Sequence, residues 1–314
     1  MITGYKQFIA RALAVLFTAL IAAPLYAQLP SHLRDYPLAP LKKSGDLIAP
    51  FFDGWIANED GSVTMVFGFL NRNTEEIVDI PLGPNNYIEP KQFDGVQPTH
   101  FPVYDFPGFV GKRDRGAFAV TVPAEMAGTE VVWTLKHVGH SYSIPGRATS
   151  PAYEMSRTER ALGSLSPAIR FDMNGPESTD REGIYAAKVK AKVGVPVTLS
   201  AYVQDRGNRS GYEVDSLYVP VGTNWILHQG PVGARPTFDP QSISGRERAK
   251  AKETEASEGG VDYSGWITET TQATFPEPGD YVIRIRVDNF AAEDSQADNQ
   301  CCWSNAYIPV IVSP

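Results

Sequence analysis

The sequence predicts an all-β protein, two β-sandwiches in tandem behind a cleaved signal peptide. Three observations carry this. Lys6 and Arg11 precede an apolar run from Ala12 to Ala23, which Leu25-Tyr26-Ala27 closes before Gln28. Beyond it, apolar side chains recur at every second position in several short runs. Finally, 27 glycines and 25 prolines among 314 residues cut the chain into short elements without reaching the density of a disordered chain.

The run at 12–23 suits the apolar core of a signal peptide but falls short of the roughly 20 residues that span a bilayer. Cleavage after Ala27 sets residues 1–27 aside. The mature chain is then exported, to a periplasm, the cell surface or the medium, with no transmembrane anchor after cleavage. Residues 28–49 mix Pro30, Pro37 and Pro40 with Lys42 and Lys43 and show no period, so they read as an extended arm or first edge strand.

The first sandwich is expected at 50–145. Val63, Met65, Phe67 and Phe69 alternate with Thr64, Val66, Gly68 and Leu70, a strand apolar on both faces and so covered on both. Ile77 to Ile80, Ala117 to Val122 and Val131 to His137 supply further strands. Between Pro81 and Gly116, six prolines accompany Tyr87, Phe93, Phe101, Tyr104, Phe106 and Phe109. Each proline removes a ladder donor, which rules out a regular central strand. Two readings are open: the rings cap the core, or they form an aromatic surface that stacks a sugar or grips a protein. Trp55 could join either arrangement.

The polar stretch 146–166, with at most one helical turn around Glu154 to Leu162, reads as a linker. The second sandwich then covers 167–314. Its clearest strand is Pro196 to Gln204, where Val197, Leu199, Ala201 and Val203 alternate with polar neighbours. Residues 241–260 carry Arg246, Glu247, Arg248, Lys250 and Lys252 with almost nothing apolar, as a solvated loop or frayed helix would.

At Ala273 to Val287 the chain reads ATFPEPGDYVIRIRV, a turn followed by alternation of Tyr281, Ile283, Ile285 and Val287 with Val282, Arg284 and Arg286. This resembles the hairpin near the end of immunoglobulin-like and polycystic-kidney-disease-type β-sandwich modules. The resemblance implies an immunoglobulin-like second sandwich in which Tyr281 forms a tyrosine corner, with a last strand at Ala306 to Val312. It implies a fold and no particular activity. The stretches GWIANEDGSVTMVFGFLNRN and IPLGPNNYIEP also resemble a group of exported bacterial proteins to which no activity is attached.

Few residues suggest chemistry. Cys301 and Cys302 are adjacent, are the chain's two cysteines and precede Trp303. In an oxidising compartment they could close a vicinal disulfide that clips a turn, or one that also makes a ligand platform beside Trp303. The thiols could equally be free, bridged to another chain or metal-bound. Asp288, Glu293, Asp294 and Asp298, with Asn289 and Asn299, gather the oxygen ligands calcium takes, although an acidic solvated loop has the same composition. No other cofactor is indicated. Gly139 to Ser143 approaches a nucleophile elbow but has Ser143 where that turn needs glycine. His137 and His140 would point to opposite faces of a continuing strand, which argues against a metal pair.

The chain carries 28 basic and 36 acidic residues, net −8, and loses Lys6 and Arg11 with the signal. Nucleic acid and anionic membranes are therefore poor partners. The expected function is non-catalytic binding or scaffolding in the cell envelope, toward a glycan or a protein, through Trp55, Tyr87, Phe101, Tyr104, Phe106 and Trp303. The alternatives are an envelope hydrolase with carboxylates dispersed in sequence and a subunit of a surface assembly.

Overall fold

A computed structural model describes residues 41–104, 113–158, 163–207, 221–245, 247–248, 265–289 and 302–314. The expected signal peptide and most of the arm lie outside them. Among the described residues the regular structure is almost entirely β, and no helix is long and apolar enough to cross a membrane.

Among the described residues the N-terminal sandwich has eight strands: β1 (Ile48–Ala57), β2 (Val63–Asn71), β3 (Val78–Asp79), β4 (Asn86–Glu89), β5 (His100–Phe101), β6 (Arg113–Val122), β7 (Val131–His137) and β8 (His140–Gly146). Antiparallel sheets β1-β2-β6 and β4-β7-β8 face each other, and β3 pairs with β5 in a short ribbon. The core between them is aromatic. Phe67 stacks on Phe118 at 5.3 Å, Phe118 meets the edge of Trp133 at 5.0 Å, and Phe69 meets Phe101 at 4.9 Å. The second face of β2 is covered as its composition demands: Val66 packs with Ile56, Ala119 and Met155.

Residues 42–49 of the expected arm or first edge strand join this unit, and β1 is an edge strand of its sheet. β1 begins inside the arm, and Asp46 is tied to Asn73 and Arg72. His137 and His140 do not lie on one continuing strand. Val138 and Gly139, both at positive φ, make a two-residue hairpin that sets the two histidines opposite each other.

The C-terminal sandwich holds β9 (Ala168–Arg170), β10 (Glu177–Ser178), β11 (Val189–Lys192), β12 (Val197–Gln204), β13 (Gly222–Gln229), β14 (Thr237–Asp239), β15 (Ser242–Ile243), β16 (Ile267–Thr274), β17 (Gly279–Asp288) and β18 (Trp303–Ser313). Its five-stranded sheets are ordered β10-β9-β12-β16-β14 and β11-β18-β17-β13-β15. All pairs are antiparallel except β11 with β18. Leu199, Ala201 and Val203 from β12 and Ile283, Ile285 and Val287 from β17 fill the space between. The hydroxyl of Tyr281 donates to the carbonyl of Glu277 at 2.8 Å, closing the tyrosine corner. The described part of the charged stretch, 241–245 and 247–248, is less detached than its composition suggests. Ser244 and Glu247 make the reciprocal bonds of a capping box, and Arg248 pairs with buried Glu269 at 2.7 Å.

Candidate functional site

The two surfaces singled out by composition are both contact surfaces, and each meets the other half of the same chain. The proline-rich segment is organised by side-chain amides. Prolines and irregular turns leave carbonyls that no ladder can satisfy, and buried polar groups need partners. Asn86, fully buried, donates to the carbonyls of Ile80 (2.9 Å) and Pro98 (2.7 Å) and accepts from the Trp133 indole (3.0 Å). Gln97, equally buried, donates to Asp94 (2.7 Å) and accepts from the Gly95 amide (2.8 Å).

So braced, the segment offers its backbone to β13. His228 lies at an irregularity in the β13–β17 register and is released from the ladder. Its ring meets the Val96 carbonyl at 2.8 Å, and its own carbonyl accepts from Thr99 at 2.9 Å. Gln229 donates to the carbonyls of Gly95 (2.8 Å) and Gln97 (2.7 Å). Burial, reinforced by the positive charge of Arg284, pushes the His228 imidazole down to about 3, so it is neutral and its Nε2 carries the hydrogen given to Val96. Beside it, Asp79 accepts from His100 (2.7 Å), the Gly233 amide (2.9 Å) and Arg235 (2.7 Å). Burial alone would raise the Asp79 carboxyl, yet these three donors outweigh it and hold it below its ordinary value.

The second patch centres on Asp114 of β6. Arg284, 1% exposed, donates to it at 2.6 Å and also to the Ala117 carbonyl. Arg286 reaches its other oxygen, Oδ1, at 3.2 Å, and the Tyr104 hydroxyl donates to Oδ2, the oxygen Arg284 holds, at 3.2 Å. Burial tends to lower the Arg284 guanidinium, but the Asp114 charge prevails and pushes it up; burial, with Asp114 close by, pushes the Tyr104 phenol up. From β18, Asn305 donates to the Gly116 carbonyl at 2.9 Å, and Trp303 lies between the guanidiniums of Arg181 (4.2 Å) and Arg286 (4.7 Å). Gly116 is at φ +54°, and a Cβ there would stand 2.7 Å from the Trp303 ring, so only glycine fits this approach.

The segment expected as a linker is fastened to both sides. The Met155 amide donates to the Trp55 carbonyl at 2.7 Å, and Arg157 bonds Asn58 (2.9 Å) and Asp180 (2.8 Å). Residues 42–314 accordingly form one compact unit.

Of the expected ligand-stacking rings, Phe101 and Trp303 need correction: at 0% and 2% exposed they are interior side chains with no face for a ligand. Phe101 is enclosed by Phe69 and Trp133, and Trp303 by the two arginines. Tyr104 is occupied with Asp114. Trp55 is half-buried and donates its indole N–H to Ser150 at 3.0 Å. Tyr87, also half-buried, lines an open depression of 410 Å³ with Pro84, Glu89 and Pro90, and Lys136 sits 5.4 Å from its ring centre. Phe106, Phe109, Glu293, Asp294, Asp298 and Cys301 lie outside the described residues. Asp288 ends β17 opposite Trp303, and Cys302 is buried and disulfide-bonded.

No protein-family model matches the chain, and no curated protein matches it. Among solved structures, the D00-D0 domain of intimin is 10% identical, with 85% of this chain and 100% of that one covered, at a TM-score of 0.24. Domains 4 and 5 of the S-layer protein SbsC are 13% identical over 86% and 98% at 0.20, and a PapD-like domain of human CEP192 is 10% identical over 48% and 87% at 0.23.

Proposed function

We propose that this chain is an exported, non-catalytic module of the cell envelope that binds or scaffolds by presenting two β-sandwiches as one rigid block. The observation that carries it is the buried Asp114–Arg284–Arg286 cluster, which joins β6 to β17 away from water. Flexible tandem domains meet through wetter, smaller surfaces. The use of the buried acids supports the non-catalytic reading. Asp53, Asp79, Asp114 and Glu269 each face an arginine, as structural acids do. In this reading the Cys302 disulfide pairs it with Cys301 and clips the approach to β18, and calcium, if taken up, orders the acidic loop between Asp288 and Asp298. The free part of the surface, including the Tyr87 depression, is left for a glycan or protein partner.

Small-angle scattering of the mature protein, beside N-terminal sequencing of the fractionated product, tests this. The expected result is a single rigid envelope from a chain that starts near Gln28 outside the cytoplasm. Two independently tumbling bodies, or an unprocessed cytosolic chain, would overturn it.

A further inference from the structure

Lys190 and Lys192 occupy alternate positions on β11, an outer strand of its sheet, and Lys188 immediately precedes it. Val189 and Ala191 between them pack on the core, which puts the three ammonium groups on the other face. Lys190 is in register with Ile311 and Lys192 with Ser313, and all three lysines are exposed. Elsewhere Lys43 meets Glu75 and Lys91 meets Asp94. Among the described residues no carboxylate comes within ion-pair distance of these three.

A strand repeat of ~6.7 Å for two residues separates Lys190 from Lys192, and Lys188, one residue ahead of the strand, lengthens the row. Screening at physiological salt acts over about 8 Å, so the row keeps its local field although the whole chain is negative. The sheet neighbour two strands across, Asp280, opposes Ile311 and carries the opposite charge. A single cationic row bordered by acid suits a filament better than a plane. Upstream on the same edge, Tyr185 is 52% exposed and bridges to Tyr307, on which its ring stacks at 5.0 Å.

We propose that this edge is a docking strip for a linear acidic polysaccharide, with carboxylates along the polymer meeting the lysine row and a sugar ring settling against Tyr185. This names the partner class for the binding module proposed above and rests on that reading. Positive charge on an edge strand also discourages strand-to-strand association, and the test separates the two roles.

The full mature chain is titrated with alginate oligomers at low salt, with neutral dextran of equal length as reference. K188E/K190E/K192E keeps the edge charged, so it should remain monodisperse while binding alginate at least tenfold more weakly; Y185A should lose a smaller factor. Raising salt should weaken the wild type and leave the triple variant nearly unchanged. Equal binding by wild type and triple variant, or no preference of the wild type for alginate over dextran, would overturn the proposal. So would tighter binding to single-stranded oligo-dT or to phosphatidylglycerol vesicles. A wild type that ignores alginate yet scatters as one rigid body removes the docking strip alone.

Discussion

The two sandwiches reach the same architecture by different means. In the C-terminal one, long strands carry most of the order: β17 and β18 run in register over ten pairs, from Gly279–Val312 to Asp288–Trp303, around an aliphatic core. In the N-terminal one, two sheets of three strands enclose stacked rings, and a long irregular segment is held by the amides of Asn86 and Gln97. A ladder satisfies backbone groups by repetition, whereas the N-terminal half assigns a particular side chain to each stray carbonyl. The second solution is specific but brittle, and it leaves the Gly95–Gln97 carbonyls turned outward, where β13 takes them up.

The join between the halves is where the comparison breaks most readily. Arg284→Met takes the nearer of its two arginines from the Asp114 carboxylate in a dry interface, leaving Arg286 and Tyr104, and should cost about 3 kcal/mol; urea unfolding followed by tryptophan fluorescence measures it, with the two halves losing their common transition. Asn86→Ala leaves two carbonyls and the Trp133 N–H without partners, for about 3 kcal/mol of loss, and hydrogen exchange should report it first in β4 and β7. The neutral His228 makes the join acid-sensitive. Its folded value, about 3, lies below the ordinary 6.5, so between these pH values the unfolded chain binds a proton that the folded one refuses. Stability should fall by about 2 kcal/mol from pH 6.5 to pH 5, and His228→Gln should flatten that slope in melts across the range. The smallest effect is expected at Tyr281→Phe, which removes one hydrogen bond from an otherwise complete ladder: about 1 kcal/mol, visible as a modest fall in the melting midpoint with the join intact.

How far the fold could be read follows the same division. Period-two alternation located β2, β7, β12 and β17 because one residue in two faces a core there. The tyrosine corner was legible from the turn ahead of Tyr281. β1 escaped because Pro50, Asp53 and Gly54 interrupt its alternation, and its register with β2 shifts between Phe52 and Gly54. The candidate site was half legible. Dense rings and prolines marked 81–116 as a core cap or a contact surface, but composition does not say which, nor whether a partner is a stranger or the next sandwich. Arg284 and Arg286 alternate with apolar residues as solvent-facing side chains would, and nothing in β17 records that a second sheet lies opposite them. His228 gave no signal at all, since its exposure to Val96 depends on a local slip in register.

The position of β18 bears on the order in which the fold can close. It lies inside its sheet, between β11 and β17, and also supplies Trp303, Asn305 and Tyr307 to the join. Neither the C-terminal sheet nor the seam with the first sandwich is whole without that strand. One segment therefore finishes both, so the two halves lock in a single event.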